Sequence, residues 1–259
     1  MEPSIRSLRL DVFSKDWPLD QEITAAASSP SLTFLKNPAS QSVYIYLTRF
    51  VRALSEHLLK RRFSDVSILD WGCGKGHVSK LLRDLGTEDL ESCDIVSDRG
   101  DSAFGQDSPI LREFNIQVTP LKHEYKLPYK ESRFDAVISM GVLEHVPNDR
   151  ESLAEIWRVL KPGGLFFCFH LPNDFGWVHR VAHLKGDHYH DRLYNEQLVQ
   201  EMMASARFDL VDLWYRQIFP KNSVNYPNYR MFERVDQFLT ERTPLRRFAT
   251  DIEFVGVKH

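Results

Sequence analysis

Ile68-Leu69-Asp70-Trp71-Gly72-Cys73-Gly74-Lys75-Gly76-His77 is the stretch on which the reading of the chain turns. Residues 66–69 form a short, mostly apolar and partly β-branched run, as a buried strand does. Asp70 follows, then glycines at every second position, and then Val78, Leu81, Leu82 and Leu85 at helical spacing. Strand, glycine turn and helix is how an open α/β sheet receives a nucleotide-like ligand, outside the carboxyl end of its first strand. The glycines let the backbone turn sharply and approach the ligand with no Cβ in the way. The helix behind them offers free N–H groups and a positive dipole end to a carboxylate or phosphate. A dinucleotide fingerprint needs G-x-G-x-x-G, and His77 stands where its third glycine should fall. That disfavours a nicotinamide-dependent oxidoreductase.

The pattern that does stand here, D-x-G-x-G-x-G from Asp70 to Gly76, resembles the first motif of the class I S-adenosylmethionine-dependent methyltransferases. The resemblance continues through a strand near 90–93 ending at Asp94, the pair Leu127-Pro128, and an apolar strand over 133–139. The segment Met140-Gly141-Val142-Leu143-Glu144-His145-Val146-Pro147 and the turn Lys161-Pro162-Gly163-Gly164 before a strand at 165–169 complete it. It covers about residues 66–171. The fold it implies is α/β, a Rossmann-like seven-stranded, mostly parallel sheet with helices on both faces and the last strand antiparallel. The cofactor it implies is S-adenosylmethionine. Asp70, Gly72, Cys73, Gly74 and Gly76 would then form the glycine turn, and Asp94 and Ile95 would lie at the ribose, whose diol a carboxylate can accept from twice. Met140 and Leu143 would line the adenosyl and methyl region. The family commonly has an acidic residue for the adenine amine four positions before Leu-Pro. Here that position is His123, with Glu124 next to it, and Glu124, His123 or a backbone N–H is left to supply the adenine contact.

Lys plus Arg number 33 against 36 Asp plus Glu, a net charge of −3, so no global charge argues for nucleic acid. Residues 1–10 carry Glu2, Arg6 and Arg9 and no apolar core, unlike a secretory signal. No apolar run approaches the roughly 20 residues of a membrane span. Cys73, Cys93 and Cys168 fall in the turn or in predicted strands and show neither pairing nor metal spacing, which suits small buried residues in a reducing cytoplasm.

Residues 1–40, with Pro3, Pro18, Pro30 and Pro38, read as an irregular N-terminal arm, docked through Phe13, Trp17, Phe34 and Leu35. Residues 41–259 read as the methyltransferase domain. A helix over 40–62 precedes the first strand, and residues 116–119 read as the third strand. Helices over 149–160 and 195–206 follow, the latter with Leu198, Met202 and Met203 inside. Strands over 208–218 and 248–257 close the sheet, separated by an insertion at 219–247 where a short hairpin would suffice. Met231, Phe232, Val235, Phe238 and Leu239 make one apolar stripe on a helix of that insertion. The stripe predicts a lid over a large acceptor or a face packed on the sheet, and its arginines suit phosphate on a sugar-nucleotide or lipid-linked glycan. Peripheral membrane contact through the same helix is a weaker alternative, because acids interrupt its basic face.

Transfer of a methyl group from a sulfonium needs alignment of donor and acceptor, and a base when the acceptor is a hydroxyl. Histidine is the natural base near neutral pH. His170, at the end of the fifth strand, is the first candidate, with His145 and His190 behind it. His179, His183, His188, His190 and Asp191 raise a metal site, but nothing completes a ligand set, so no metal is expected. The expected function is O-methylation of a small molecule, sugar or lipid-linked glycan. N- or C-methylation of a small metabolite, or a binding protein that has lost catalysis, are the alternatives.

Overall fold

A computed structural model describes residues 4–95, 108–123, 125–186, 192–221 and 224–259. Helices α1 (Ile5–Ser14), α2 (Gln21–Ala26) and α3 (Pro38–Leu59) precede strand β1 (Ile68–Trp71). Then come α4 (His77–Asp84), β2 (Leu90–Ile95), α5 (Pro109–Glu113), β3 (Val118–Leu121), β4 (Phe134–Met140), α6 (Asp149–Val159) and β5 (Leu160–Pro172). The chain continues through α7 (Trp177–Leu184), α8 (Glu196–Ser205), β6 (Phe208–Arg216), α9 (Tyr229–Arg242) and β7 (Asp251–Lys258). The strands form one sheet in the order β3-β2-β1-β4-β5-β7-β6. All neighbours up to β5 are parallel, and β7 runs antiparallel to both β5 and β6. This is the predicted seven-stranded sheet with its reversed last strand. The chain order changes direction between β1 and β4, and a crevice opens at their carboxyl ends.

Successive side chains of a strand point to opposite faces, so the apolar runs divide between two cores. Leu69, Val137 and Phe166 close on α6 and α8 through Leu153, Ile156, Val199 and Met203. Ile68, Ile138 and Phe167 close on α3 and α4 through Leu47, Phe50, Leu54, Val78 and Leu82. Both faces of the sheet are thereby covered.

The first 40 residues are more regular than their prolines suggest. Pro30 and Pro38 sit in the first turns of a 3-10 segment and of α3, where a missing N–H costs nothing. Asp20 caps α2 by accepting the N–H of Ile23 at 2.8 Å. The docking itself is as expected: Ile23, Leu32 and Leu35 pack with Ile45, Leu81 and Leu111 in a third core. The third strand lies two residues later than predicted, because Ile116 turns into that third core behind Asn115, whose φ is +48°. On α8, Val199 rather than Leu198 faces inward, and Leu198 is 38% exposed.

Helix α9 departs most from its pattern. Its apolar stripe is neither packed on the sheet nor closed over a cavity: Met231, Val235 and Phe238 are 50%, 41% and 60% exposed. The docked face is polar. Buried Asp236 accepts the N–H groups of Gln217 at 3.2 Å, Ile218 at 2.8 Å and Phe219 at 2.9 Å. Glu233 takes the hydroxyls of Ser42 and Tyr46, and Glu241 pairs with Arg6 and with buried Arg9. Phe232 and Leu239 of the stripe are half-buried, the Phe232 ring 5.6 Å from Phe219 and 4.4 Å from Tyr226. The physical reason lies in what β6 leaves behind. Three N–H groups leaving that strand, and the buried cations Arg9 and Lys221, need acceptors, and an unmet buried donor or charge costs more than an exposed phenylalanine.

Stability should follow this inverted docking. Asp236→Ala strands three N–H groups and the Lys221 ammonium, and should destabilise the fold by about 2–5 kcal/mol. Phe238→Ser should change stability by no more than about 0.5 kcal/mol. Urea unfolding followed by circular dichroism measures both, and the opposite ranking would mean that the stripe is the docked face.

Candidate functional site

The crevice between β1 and β4 deepens into a cavity of about 630 Å³. Its floor is the glycine turn. Gly72 has φ +72°, and a Cβ there would stand 2.4 Å from Val142 Cγ2, so neither the conformation nor the space admits a side chain. Gly76, with φ +80°, is closed off in the same way by Leu111 Cδ2 at 2.3 Å. The turn is therefore clamped between the segment after β4 and helix α5.

Asp94, at the end of β2, ties that turn to its own strand. One carboxylate oxygen accepts the N–H of Gly74 at 2.7 Å and the other that of Ile95 at 2.7 Å. Each oxygen keeps a further lone pair, so Asp94 can still accept from two hydroxyls of a ligand. Burial pushes its pKa up, against the pull of the two N–H groups and of Lys75. Asp70 lies deeper, hydrogen-bonded by Ser79 Oγ at 2.5 Å. Burial pushes Asp70 up to about 7, the Ser79 hydroxyl opposing and the Asp94 charge adding. Asp70, Gly72, Cys73, Gly74, Asp94, Ile95 and Met140 all line the cavity, and Gly76 supports it from behind.

Other candidates stand elsewhere. Leu143 is fully buried in the α6-side core and is absent from the cavity wall. His123 is exposed beyond β3, where its Nδ1 faces the N–H groups of Tyr125 and Lys126 at 3.4 and 3.3 Å. A histidine at that position thus caps a turn. Glu124 and His190, with His188 and Asp191, lie outside the described residues. His179 and His183 are on α7, and His179 Nε2 is 3.1 Å from the Thr250 carbonyl. None of the described residues of 219–247 lines the cavity.

At the opposite flank, His145 lines the wall with its ring half exposed, 3.7 Å from the Glu144 carboxylate, and burial lowers its pKa. His170 stands directly behind the wall. A Cβ on Gly141 would lie 3.9 Å from His170 Cβ, and the Tyr44 and His170 rings are 5.7 Å apart. β5 does not end at His170 but runs on to Pro172, with a register shift against β7 between Cys168 and Leu171. His170 sits in that shift with φ +59°, a conformation that a non-glycine residue adopts at some cost, and bulges of this kind re-aim side chains. Its Nδ1 is 3.2 Å from Asp251 Oδ2 and 3.2 Å from the Gln217 amide, while Nε2 is buried with no partner. Burial pulls the His170 pKa down, but the hydrogen bond and charge of Asp251 outweigh it, and the net shift is upward.

Several wall residues escaped the sequence reading. Phe34 and Tyr44 come from the arm and α3, and His77 opens α4. Tyr44 fell on the apolar stripe of α3 and so read as core. The one available signal was a phenol among aliphatic residues. Asp251, the partner of His170, comes from the far end of the chain, and no local pattern links the two.

With this geometry in view, comparison with known proteins is direct. Residues 69–168 match the family model of a methyltransferase domain. A ubiquinone biosynthesis O-methyltransferase of Cereibacter sphaeroides is 28% identical over 166 residues, 58% of this chain and 63% of that protein. The chain thus aligns with less than two thirds of the length of that relative. Among solved structures, a Burkholderia thailandensis 1,6-didemethyltoxoflavin-N1-methyltransferase with bound S-adenosylhomocysteine is 18% identical. Its TM-score is 0.51, with 94% of this chain and 93% of that one covered. The [4+2]-cyclase SpnF has the same fold at 16% identity and a TM-score of 0.53, covering 99% of this chain and 97% of its own. Residues 69–168 thus match a methyltransferase domain, and the glycine turn and strand order are those expected of the class I S-adenosylmethionine-dependent methyltransferase fold. The cyclase is a reminder that the fold alone does not settle the chemistry.

Asp94→Ala should lose about 1.5–3 kcal/mol of S-adenosylhomocysteine binding by titration calorimetry, the range for hydrogen bonds to a charged group. Unchanged affinity would remove the ribose role from this carboxylate.

Proposed function

We propose that this protein is an S-adenosylmethionine-dependent O-methyltransferase acting on a hydroxyl of a small molecule, a class that includes sugars and lipid-linked glycans. The observation that carries the proposal is His170. It is held in a left-handed conformation at a bulge, with one ring nitrogen on Asp251 and the other buried and unpartnered behind the cavity wall. The O-methyltransferase relative supports an oxygen acceptor over nitrogen or carbon. Among the described residues no helix is long and apolar enough to cross a membrane, and a small acceptor reaching the crevice from solvent is consistent with that.

S-adenosylmethionine, when bound, supplies an activated methyl group on a sulfonium. Asp94 would hold the ribose hydroxyls, and Val142, Val146 and Ile95, which line the cavity, would give the purine an apolar bed. Met140, Gly141 and Tyr44 bound the space where the acceptor meets the methyl group and exclude water from it. Asp251 accepts from Nδ1–H and so fixes the tautomer that leaves Nε2 as a base. His170 Nε2 would accept the proton of the acceptor hydroxyl, and the imidazolium so formed would be stabilised by the adjacent Asp251 carboxylate.

The base must be unprotonated to act, and its pKa is raised above the ordinary histidine value of 6.5. Turnover should therefore rise with pH through an inflection above that value. Asp251→Asn removes the group that raises it, so the inflection should move to lower pH while the maximum falls. His170→Ala should reduce turnover by about 10²–10⁴ with cofactor affinity unchanged. Methyl transfer from labelled cofactor to a panel of phenols and sugars, read across pH, checks both variants. Near-full turnover of His170→Ala at every pH would end the assignment.

A further inference from the structure

Helix α9 presents to solvent a face of uniform chemistry. Met231, Arg234, Val235, Phe238 and Arg242 are all exposed, and their spacing puts them on one side of the helix. The 3-10 turn that follows, Pro244–Phe248, adds exposed Leu245, Arg246, Arg247 and Phe248. Hydrocarbon and guanidinium groups alternate over this surface, and among the described residues of the two elements no carboxylate is exposed. The acids that interrupt the basic character of the helix in the sequence are the ones that dock. Asp236 takes the N–H groups of residues 217–219, Glu233 the hydroxyls of Ser42 and Tyr46, and Glu241 the guanidinium groups of Arg6 and Arg9. Folding thus sorts the charges of α9, acids inward and arginines outward.

The acids beside this face are already engaged. Asp16 of the arm pairs with Arg234 at 3.2 Å and with Arg230 at 3.6 Å, and Asp11 of α1 pairs with Lys15 at 2.6 Å. The whole chain has a net charge of −3, so the local excess of cations is a property of this surface and not of the protein. Its exposed side chains can bury hydrocarbon or donate hydrogen bonds, and none of them accepts. A second copy placed on it face to face would set arginine against arginine. A protein partner pairs donors and acceptors in both directions across its interface. A layer of anions directly above hydrocarbon is instead the surface of a bilayer that contains acidic lipids. There the phenylalanine, valine and methionine enter the acyl boundary while the guanidinium groups stay at the phosphates, as long basic side chains permit.

We infer that α9 and the turn after it dock this protein on an anionic membrane surface, with Phe238 central among the inserted side chains. Ser42 and Tyr46, which fix α9 to α3, flank Tyr44 of the cavity wall in the sequence, so docking would hold the crevice beside the bilayer. The docking needs neither cofactor nor turnover, and it is measured on the protein alone.

The test sediments the full chain with vesicles of phosphatidylcholine alone and of phosphatidylcholine mixed with phosphatidylserine. The wild type should pellet with the mixed vesicles, stay in solution with the neutral ones, and be released from the mixed ones by high salt. Phe238→Ser should weaken the binding about tenfold, the loss expected when one aromatic side chain is kept out of hydrocarbon. Arg242→Ala combined with Arg247→Ala should weaken it about 20- to 30-fold, roughly fivefold for each charge near the surface. Leu198→Ser, at an exposed apolar position on α8, should leave it within about twofold. Unchanged circular dichroism shows that each variant is folded. Wild type left in the supernatant with both kinds of vesicle, or pelleting equally with both, overturns the inference, as do α9 variants that bind as wild type does. A concentration-dependent dimer in sedimentation equilibrium that Phe238→Ser abolishes also overturns it, because the face would then belong to a second copy.

Discussion

The hydrogen bond from the Gly74 N–H to the Asp94 carboxylate, 2.7 Å long, is the interaction on which the rest of the site depends. It joins the turn after β1 to the end of β2. The turn can reach Asp94 only because Gly72 and Gly76 hold positive φ and lie against Val142 and Leu111 with no room for a Cβ. A backbone that close to its neighbours needs no side chain to be rigid. The cost is a buried carboxylate with a raised pKa, offset in part by its two N–H bonds. A ligand diol would offset more of it, which is the usual logic of preorganised polar groups in a cavity.

The other half of the site is built by a different device. β5 and β7 are antiparallel neighbours and would keep His170 in register but for the shift between Cys168 and Leu171. His170 lies in that shift, and Gln217, just past β6, brings its amide 3.2 Å from the ring; both take left-handed backbone conformations, with φ of +59° and +66°. The shift brings His170 to Asp251 and to the back of the wall formed by Gly141 and Tyr44. The reversed strand β7 carries Asp251 from the far end of the sequence to the side chain of His170.

How much of this was legible in the sequence follows from how local each feature is. The glycine turn, Asp94 and the apolar strands are written in adjacent residues, and their periodicity or spacing is enough to place them. His170 was legible as the polar end of an apolar strand, though its bulge was not. Its partner Asp251 is 81 residues away and could not be paired with it from pattern alone. The α9 stripe misled for a related reason. Amphipathic spacing says that two faces differ, not which one docks. There the choice was made by three N–H groups at residues 217–219 and by Arg9 and Lys221, all outside the helix. His123 and Leu143 were placed by analogy of position, and their side chains went to a turn and to the core.

The central claim is that this crevice moves a methyl group onto oxygen. The most direct measurement supplies the wild-type protein with S-adenosylmethionine carrying a ¹³C-labelled methyl group, together with a metabolite extract from cells that lack it. The new labelled compound is then identified by mass spectrometry and carbon NMR. The account predicts a single labelled product with an O–¹³CH₃ group, formed together with S-adenosylhomocysteine. A label found on nitrogen or carbon, or cofactor bound and recovered unchanged with no labelled product, would contradict it.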